Sequence, residues 1–564
     1  MSDSFLPVIE AVGLWPLWLP VVLSAGCGAV VRLGLDLPAL NSRLAKLTAL
    51  VSLLILCWSV ALTVAITDPS AGLFAIFRGF NWEPLTIGNY RGQIGFRIDA
   101  LGLWFILLAS VVAFAASLNV AGHPNEGDAE DERQTKLQHP AFFLASLNGF
   151  YAAMLLVPTM DNLIGLWIGI EITTLASALV IGYRNTPAAW EAAWKYLIIT
   201  SAGIVLALLG TVFLAHAIPQ GVPGGPQDTQ MNWTWLMQLA RGEIEGYRIN
   251  PHFVTLAFLF ALVGYGTKAG LAPMHTWLPD DHGEAPPAIS ALLSGVLIKL
   301  ALYAILRFYT ITNAALGSST LTSALLLGAG VLSLVLATPF ILKRNRFKRV
   351  LAYHSVEHMG IICVGIGLGG RLALAGALLH TLNHAVTKSL MFLAYGNVDR
   401  QYRKALGCQH LDDGKLVGIV RAMPVTAAFL GLAGLALVGT PPFSIFVSEV
   451  MILWGALAPL LGGAATSGAG TGLPPWALIL GIALFMLTTT LISFGLVRHL
   501  SEHLLGTAPD GVNRSTVSEG WFYDLGPLFL LACGILPLLY FVPELMRLVA
   551  SCVDILALVK GVGP

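Results

Sequence analysis

Apolar residues in this chain come in long unbroken runs, not in the three-in-seven or alternating patterns of water-facing helices and strands. A helix that crosses the hydrocarbon of a bilayer needs about 20 such residues, and about fourteen segments qualify. They centre near residues 22, 55, 111, 149, 172, 205, 261, 298, 328, 360, 385, 441, 486 and 535. The pattern predicts an all-α polytopic membrane protein. Two segments are interrupted: one by Gly439-Thr440-Pro441-Pro442, the other by Gly270 and Pro273 just after Lys268. Proline removes a backbone donor and breaks a helix. Broken helices in corresponding places of two halves point to an inverted repeat with a binding site between them. Spans four to eight then pair with spans nine to thirteen. The expected division is residues 1–122 (three N-terminal helices), 140–310 and 317–497 (the two repeats), and 498–564 (a loop and the last helix).

Composition sharpens this picture. Of 564 residues, 56% are hydrophobic and 11% charged, against about 25% charged in soluble proteins. Too little charge is present to cover several soluble domains, and disorder is excluded on the same ground. Basic and acidic residues balance at 31 each, so no nucleic-acid partner is expected. The six cysteines are scattered without a C-x-x-C, which speaks against iron–sulfur clusters and structural zinc. No metal or cofactor is expected in this chain, and no cleavable signal peptide precedes the first apolar run. Lysine and arginine cluster in three loops, after spans one, nine and eleven. All three lie on the same side by parity, and the positive-inside rule makes that side the cytoplasm. An even span count places both termini outside. The acidic stretch 126–132 and the Gly/Pro-rich stretch 220–249 are expected to be surface loops.

The informative residues are those that do not belong in lipid. A charge at mid-bilayer costs about 2.5–3.5 kcal/mol on insertion scales, so each one requires a partner, water or a function. Glu171, Lys195, Lys268 and Lys299 lie within spans five to eight. His354, Glu357 and His358 fall at i, i+3 and i+4, hence on one helix face. His380, His384 and Lys388 follow at i, i+4 and i+8, and Glu449 follows the second broken segment. Singly, each can be a paired core residue, a snorkelling lysine or a histidine bonded to a carbonyl. As a set they form a polar belt near mid-membrane. Lysine and histidine change protonation with burial and with nearby charge, so such a belt can pass a proton stepwise. Sodium, which favours clustered oxygens, fits less well. No Walker motif or dinucleotide fingerprint supplies energy. Either one gradient is exchanged for another, or a partner drives the chain. Asp280, Asp281, His282 and Glu284 lie in the cytoplasmic loop after the broken seventh helix and read as proton entry or loop packing, not as a metal cluster.

The segments His275-Thr276-Trp277-Leu278-Pro279-Asp280, Ala285-Pro286-Pro287 and Ser290-Ala291-Leu292 resemble the signature of the antiporter-like subunits of respiratory complex I and its relatives. Glu171-Ile172-Thr173-Thr174-Leu175, Glu191 to Tyr196, and His354 to Gly360 resemble more specifically the hydrogenase-4 component F branch. The resemblance spans roughly residues 95–500. It implies a fold of about fourteen transmembrane helices, with two inverted five-helix repeats and broken helices seven and twelve. It implies Glu171 and Lys195 as a gating ion pair, Lys268 as the central acceptor, and Lys299 with the histidines as a relay. Glu449 becomes the terminal group. It also implies a proton-translocating subunit of a hydrogenase-4-like redox complex in a bacterial inner membrane. Such a chain carries no redox centre of its own and works beside other membrane subunits and a peripheral [NiFe]-hydrogenase-like arm. The alternatives are a subunit of complex I or of an inorganic-carbon uptake complex, and a stand-alone cation/proton antiporter.

Overall fold

The computed structural model describes residues 15–34, 38–66, 81–87, 90–122, 139–222, 231–343, 346–408, 411, 413–461, 472–535 and 542–557. A short turn at Trp15–Trp18 leads into α1 (Leu19–Arg32) and α2 (Pro38–Ile66). An antiparallel hairpin, β1 (Asn81–Ile87) with β2 (Tyr90–Gly95), was not legible in the apolar pattern and is a small exception to the all-α reading. Then come α3 (Ala100–Gly122), α4 (Pro140–Leu156), α5 (Leu163–Ile181), α6 (Pro187–His216), α7 (Pro251–Ala269) and α8 (Pro287–Leu316). The second half holds α9 (Thr320–Leu342), α10 (Phe347–Leu368), α11 (Arg371–Leu406), α12 (Pro424–Leu437), α13 (Ser444–Leu460) and α14 (Pro475–Leu505). Among the described residues the chain closes with α15 (Trp521–Leu530) and α16 (Pro543–Leu556).

Eleven of these helices, among the described residues, are long and apolar enough to cross a membrane. The chain is a multi-span membrane protein. The remaining expected spans correspond to α11, whose 36 residues end in a charged turn, to α12 with α13, and to α15. Residues 536–541 of the last expected segment, and the acidic stretch 126–132, lie outside the described residues. The 220–249 stretch is more than surface decoration: its helix Trp233–Ala240 is largely buried against α8.

Local chemistry explains where the helices start and stop. Asn162 caps α5 by accepting from the Ile164 and Gly165 amides, and Thr186 caps α6 ahead of Pro187. Both breaks fall where the prolines foretold. The seventh span ends as Gly270 turns to φ +74°, a left-handed conformation that glycine adopts at no cost. Residues 271–277 run irregularly before the short helix Leu278–Glu284. Between α12 and α13 the chain turns at Gly439, φ +66°, and passes Pro441 and Pro442.

Burial orders the helices. The windows of α8 and α10 are 100% and 94% buried, whereas that of α14 is 28% buried and exposes Phe494, Met486 and Ile479. α8, α10 and α11 form the centre, and α6 and α14 present apolar side chains outward. Small residues let backbones approach, as is usual between membrane helices. A Cβ at Gly264 of α7 would run into Ala207 and Gly203 of α6, and one at Gly455 of α13 would run into Ala373 of α11. Each half therefore carries a tight helix pair beside its break.

Candidate ion-translocation site

In the first half, Glu171 on α5 accepts from Ser201 on α6 at 2.9 Å and from Thr174 at 3.3 Å. Thr174 in turn accepts from the Lys268 ammonium at 2.7 Å. Lys268, the last-but-one residue of α7, is fully buried. It also donates to the Tyr196 hydroxyl and lies 4.6 Å from the centre of that ring. Tyr196 is held at its other side by Ser177 at 2.6 Å and packs on Trp277. Trp277, from the irregular stretch, donates to the Thr267 carbonyl at 2.9 Å and so fixes the end of α7. Glu171 and Lys268 are thus one hydroxyl apart.

The expected Glu171–Lys195 pair is not formed. Lys195 is 48% exposed and pairs with Glu191 at 2.6 Å and Asp280 at 3.4 Å. The reason is helical geometry. Ser201, which does reach Glu171, lies six residues further along α6, ~9 Å along the axis and on another face. Lys195 therefore belongs to a surface group with Glu191, Asp280 and Arg349, the last donating to Asp280 at 2.8 Å.

Around α8, α10 and α11 the expected residues converge. Lys299, fully buried on α8, follows a wide π turn at Leu293–Leu297. Such turns are frequent at functional sites. Its ammonium donates to the Ser294 carbonyl at 2.5 Å and to His384 Nδ1 at 2.6 Å. The His384 ring stacks on His358 with centroids 4.6 Å apart. His358 Nδ1 and His380 Nε2 share a hydrogen bond of 2.9 Å, and His380 Nδ1 meets Ser448 Oγ at 3.0 Å. Ligand atoms of His358, His380 and Glu449 all lie within 4.8 Å of one another. On α10, His354 Nδ1 meets the Glu357 carboxylate at 2.7 Å. Lys388 donates to the Leu351 carbonyl. Among the described residues, none of Lys268, Lys299 and Lys388 has a carboxylate in direct ion-pair contact. Each ammonium is met by hydroxyls, carbonyls or an imidazole instead.

Between the halves lie two residues read from the sequence as loop. Asp281 and His282, in the helix Leu278–Glu284, are 0% and 1% exposed. Burial pushes the Asp281 carboxyl well above the usual carboxylate range, while the nearby Lys268 charge pulls it down and Asp280 adds to the rise. Burial holds His282 well below the usual imidazole range, helped by Lys388, Lys348 and Lys299. Adjacent in sequence, these two side chains feel the lysines of both halves. Tyr196 and Thr174 were also missed, because neutral hydroxyls raise no alarm in an apolar run.

A further buried group lies apart from the belt. Arg307 of α8 makes two parallel hydrogen bonds to Asp99, each 2.7 Å, with both side chains under 10% exposed. Arg307 also donates to Tyr303 at 2.8 Å and sits over the Trp233 ring at 4.4 Å. Burial alone would raise the Asp99 carboxyl, but the Arg307 charge and hydrogen bonds, with Arg97 and the Gly102 amide, hold it at about 2. An arginine inside an apolar run was the available signal.

Sequence and structure comparisons agree with this geometry. Residues 160–467 match the model of the NADH:quinone oxidoreductase/Mrp antiporter transmembrane family. A hydrogenase-4 component F homolog of Methylacidiphilum infernorum is 38% identical over 388 residues, 67% of this chain and 76% of that protein. Hydrogenase-4 component B of Escherichia coli is 28% identical over 63% of this chain but only 49% of its own length. Among solved structures, a chain of an archaeal membrane-bound sulfane sulfur reductase superposes with TM-score 0.73 at 22% identity, covering 96% of this chain and 97% of that one. A chain of the Mrp complex from a Dietzia species gives 0.72 at 18%, covering 96% of each. The broken helices, the buried lysines and the match over residues 160–467 make this chain an antiporter-like membrane subunit of the NADH:quinone oxidoreductase/Mrp antiporter family.

Proposed function

We propose that this chain moves protons across a bacterial inner membrane as the pumping subunit of a hydrogenase-4-like energy-converting redox complex. The observation that carries the reading is the run of contacts from Lys299 through His384, His358 and His380 to Glu449, fed from the Glu171–Thr174–Lys268 group. In this reading a proton passes from Lys299 to His384, and between His358 and His380, along existing hydrogen bonds. It crosses from His384 to the stacked His358 ring by a turn of one ring, and a shift of the Lys268 charge between Glu171 and Asp281 gates it. Lys268 takes the role of central acceptor and partner of Glu171, in place of Lys195. Glu449, partly exposed beside Gly439, releases the ion. In this reading other membrane subunits and a peripheral [NiFe]-hydrogenase-like arm drive the pump. On the same reading the repeats occupy 140–310 and 317–497, with both termini on the outer side, as the positive-inside rule supports. A stand-alone cation/proton antiporter, which needs no redox partner, is the competing reading, and the matched family, which includes Mrp antiporters, supports it.

The test uses the native complex reconstituted in vesicles. Lys268→Ala and Glu171→Ala are each expected to abolish proton uptake coupled to electron transfer while the complex still assembles. Normal pumping with either substitution refutes the assignment. Purification without co-purifying redox subunits favours the antiporter.

A further inference from the structure

The second half gathers more ligand-type atoms than a proton relay needs. His354, Glu357 and His358 bring one ligand atom each within 4.8 Å of one another, and His358, His380 and Glu449 do the same, so His358 belongs to both groups. These five side chains come from α10, α11 and α13. The three imidazole nitrogens His354 Nε2, His358 Nε2 and His384 Nε2 are buried without a hydrogen-bond partner among the described residues. Buried polar atoms are nearly always satisfied, so the described residues leave the hydrogen bonding of this histidine cluster incomplete; the candidate ligand atoms themselves are His358 Nδ1 and His380 Nε2.

We propose that His358, His380 and Glu449 form a binding site for a borderline divalent cation, Zn²⁺ foremost, with Glu357 or water in the fourth position. Zinc takes neutral imidazole and carboxylate in a tetrahedron with bonds of about 2.0–2.2 Å. Two nitrogens on such an ion sit about 3.3 Å apart by that geometry. His358 Nδ1 and His380 Nε2 are 2.9 Å apart. A few tenths of an ångström of spreading admits the ion, which takes the place of the proton the two rings share. The outer arrangement also fits. His380 turns its other nitrogen to Ser448 Oγ at 3.0 Å, the kind of second hydrogen bond that orients a metal-bound histidine. Entry runs past Glu449, the partly exposed member of the set. The ion is an inhibitor and not a resident cofactor: it occupies the imidazoles that hand protons to Glu449 and stops the path there. This consequence rests on the proposed function; the binding itself does not.

The experiment titrates Zn²⁺ alone into the full-length, tag-free chain in nanodiscs and measures bound metal after dialysis against a weak chelator. About one ion per chain is expected, with a zinc absorption edge showing nitrogen and oxygen neighbours at about 2.0–2.1 Å and outer scattering from two imidazoles. His358→Gln and His380→Gln are each expected to lower bound zinc to background. Ser448→Ala, which leaves all ligands in place, is expected to weaken binding 10- to 100-fold. His216→Gln, at the surface end of α6, is expected to change nothing. Zinc absent from the wild type, zinc retained unchanged in both histidine variants, or sulfur neighbours at about 2.3 Å each overturn the site. In vesicles that pump, micromolar Zn²⁺ is expected to block uptake by the wild type and to inhibit Ser448→Ala only at 10- to 100-fold higher concentration. Vesicles that bind zinc but never pump overturn the proposed function and leave the site standing.

Discussion

The Asp99–Arg307 pair allows the sharpest energetic prediction. Both side chains are under 10% exposed, the contact is two-pronged, and Asp99 also accepts from the Gly102 amide at 2.8 Å. Removing one member leaves the other charged, buried and unpaired, at a cost of roughly 3–5 kcal/mol. Replacing both by apolar residues of similar volume is nearly neutral on the same experience. Asp99→Leu alone should therefore destabilise by roughly 3–5 kcal/mol, and Asp99→Leu with Arg307→Met should recover most of that loss. The depressed Asp99 carboxyl gives an independent scale. A fall from 3.8 to about 2 corresponds to roughly 2–3 kcal/mol. This figure is smaller because it already nets the burial of the carboxylate against its attraction to Arg307. The sign sets the pH window: a lowered folded value means full stabilisation above the unfolded value of about 4, lost as pH falls toward 2. The assay is a double-mutant cycle on reversible unfolding by SDS titrated into mild-detergent micelles, at pH 7 and pH 5, where the coupling should be equal. A coupling energy below about 1 kcal/mol, the range of exposed pairs, or a double variant as damaged as the single one, would refute the reasoning.

Three functional predictions follow, two from neighbouring residues and one from a turn. Lys195→Ala should leave proton uptake near the wild-type rate, since Lys195 is half-exposed and its ion pairs among the described residues are with Glu191 and Asp280. Tyr196→Phe removes a hydrogen bond to the Lys268 ammonium, and such bonds are worth about 1.5–3 kcal/mol. Uptake in vesicles should slow at least about tenfold, and equal rates for the two variants would contradict the revised pairing. Gly439→Ala forces a side chain into a left-handed turn and against the Glu449 carboxylate. It should cost about 1 kcal/mol of stability, yet lower uptake as far as Glu449→Ala does. Wild-type uptake would show that the position of Glu449 does not matter.

Most of the belt could be read from the sequence because lipid makes charge conspicuous. Lys268, Lys299, the two histidine faces and Glu449 stand out against apolar runs for that reason, and the breaks stand out because glycine and proline have few uses inside a helix. Partnership was not legible. Whether Glu171 meets Lys195 or Lys268 depends on how α5, α6 and α7 rotate about their axes, which small-residue packing at Gly203 and Gly264 decides. Neutral groups were invisible too. Thr174 and Tyr196 mediate the lysine contact but look like ordinary membrane-helix residues. Asp281 and His282 were misplaced because the chain after a break reads as loop, although it folds back into the buried centre.

The two halves differ in what they can carry. An imidazole donates at one nitrogen while accepting at the other, so His358 and His380, which share a hydrogen bond, can relay by exchanging roles, while passage from His384 to the stacked His358 ring needs one ring to turn. An ammonium has three donors and no acceptor, so Lys268 and Lys299 can pass a proton on only by giving up their charge. Under the proposed function the slow event is therefore the discharge of a lysine, not transit through the histidines. No hydrogen bond joins Lys268 to Lys299 among the described residues, and Asp281 with His282 occupies the interval electrostatically. Under the proposed function the half-path from Glu171 stores charge and the half-path to Glu449 conducts it, and a driving partner acts at the Lys268 end, where one hydroxyl separates the ammonium from the Glu171 carboxylate.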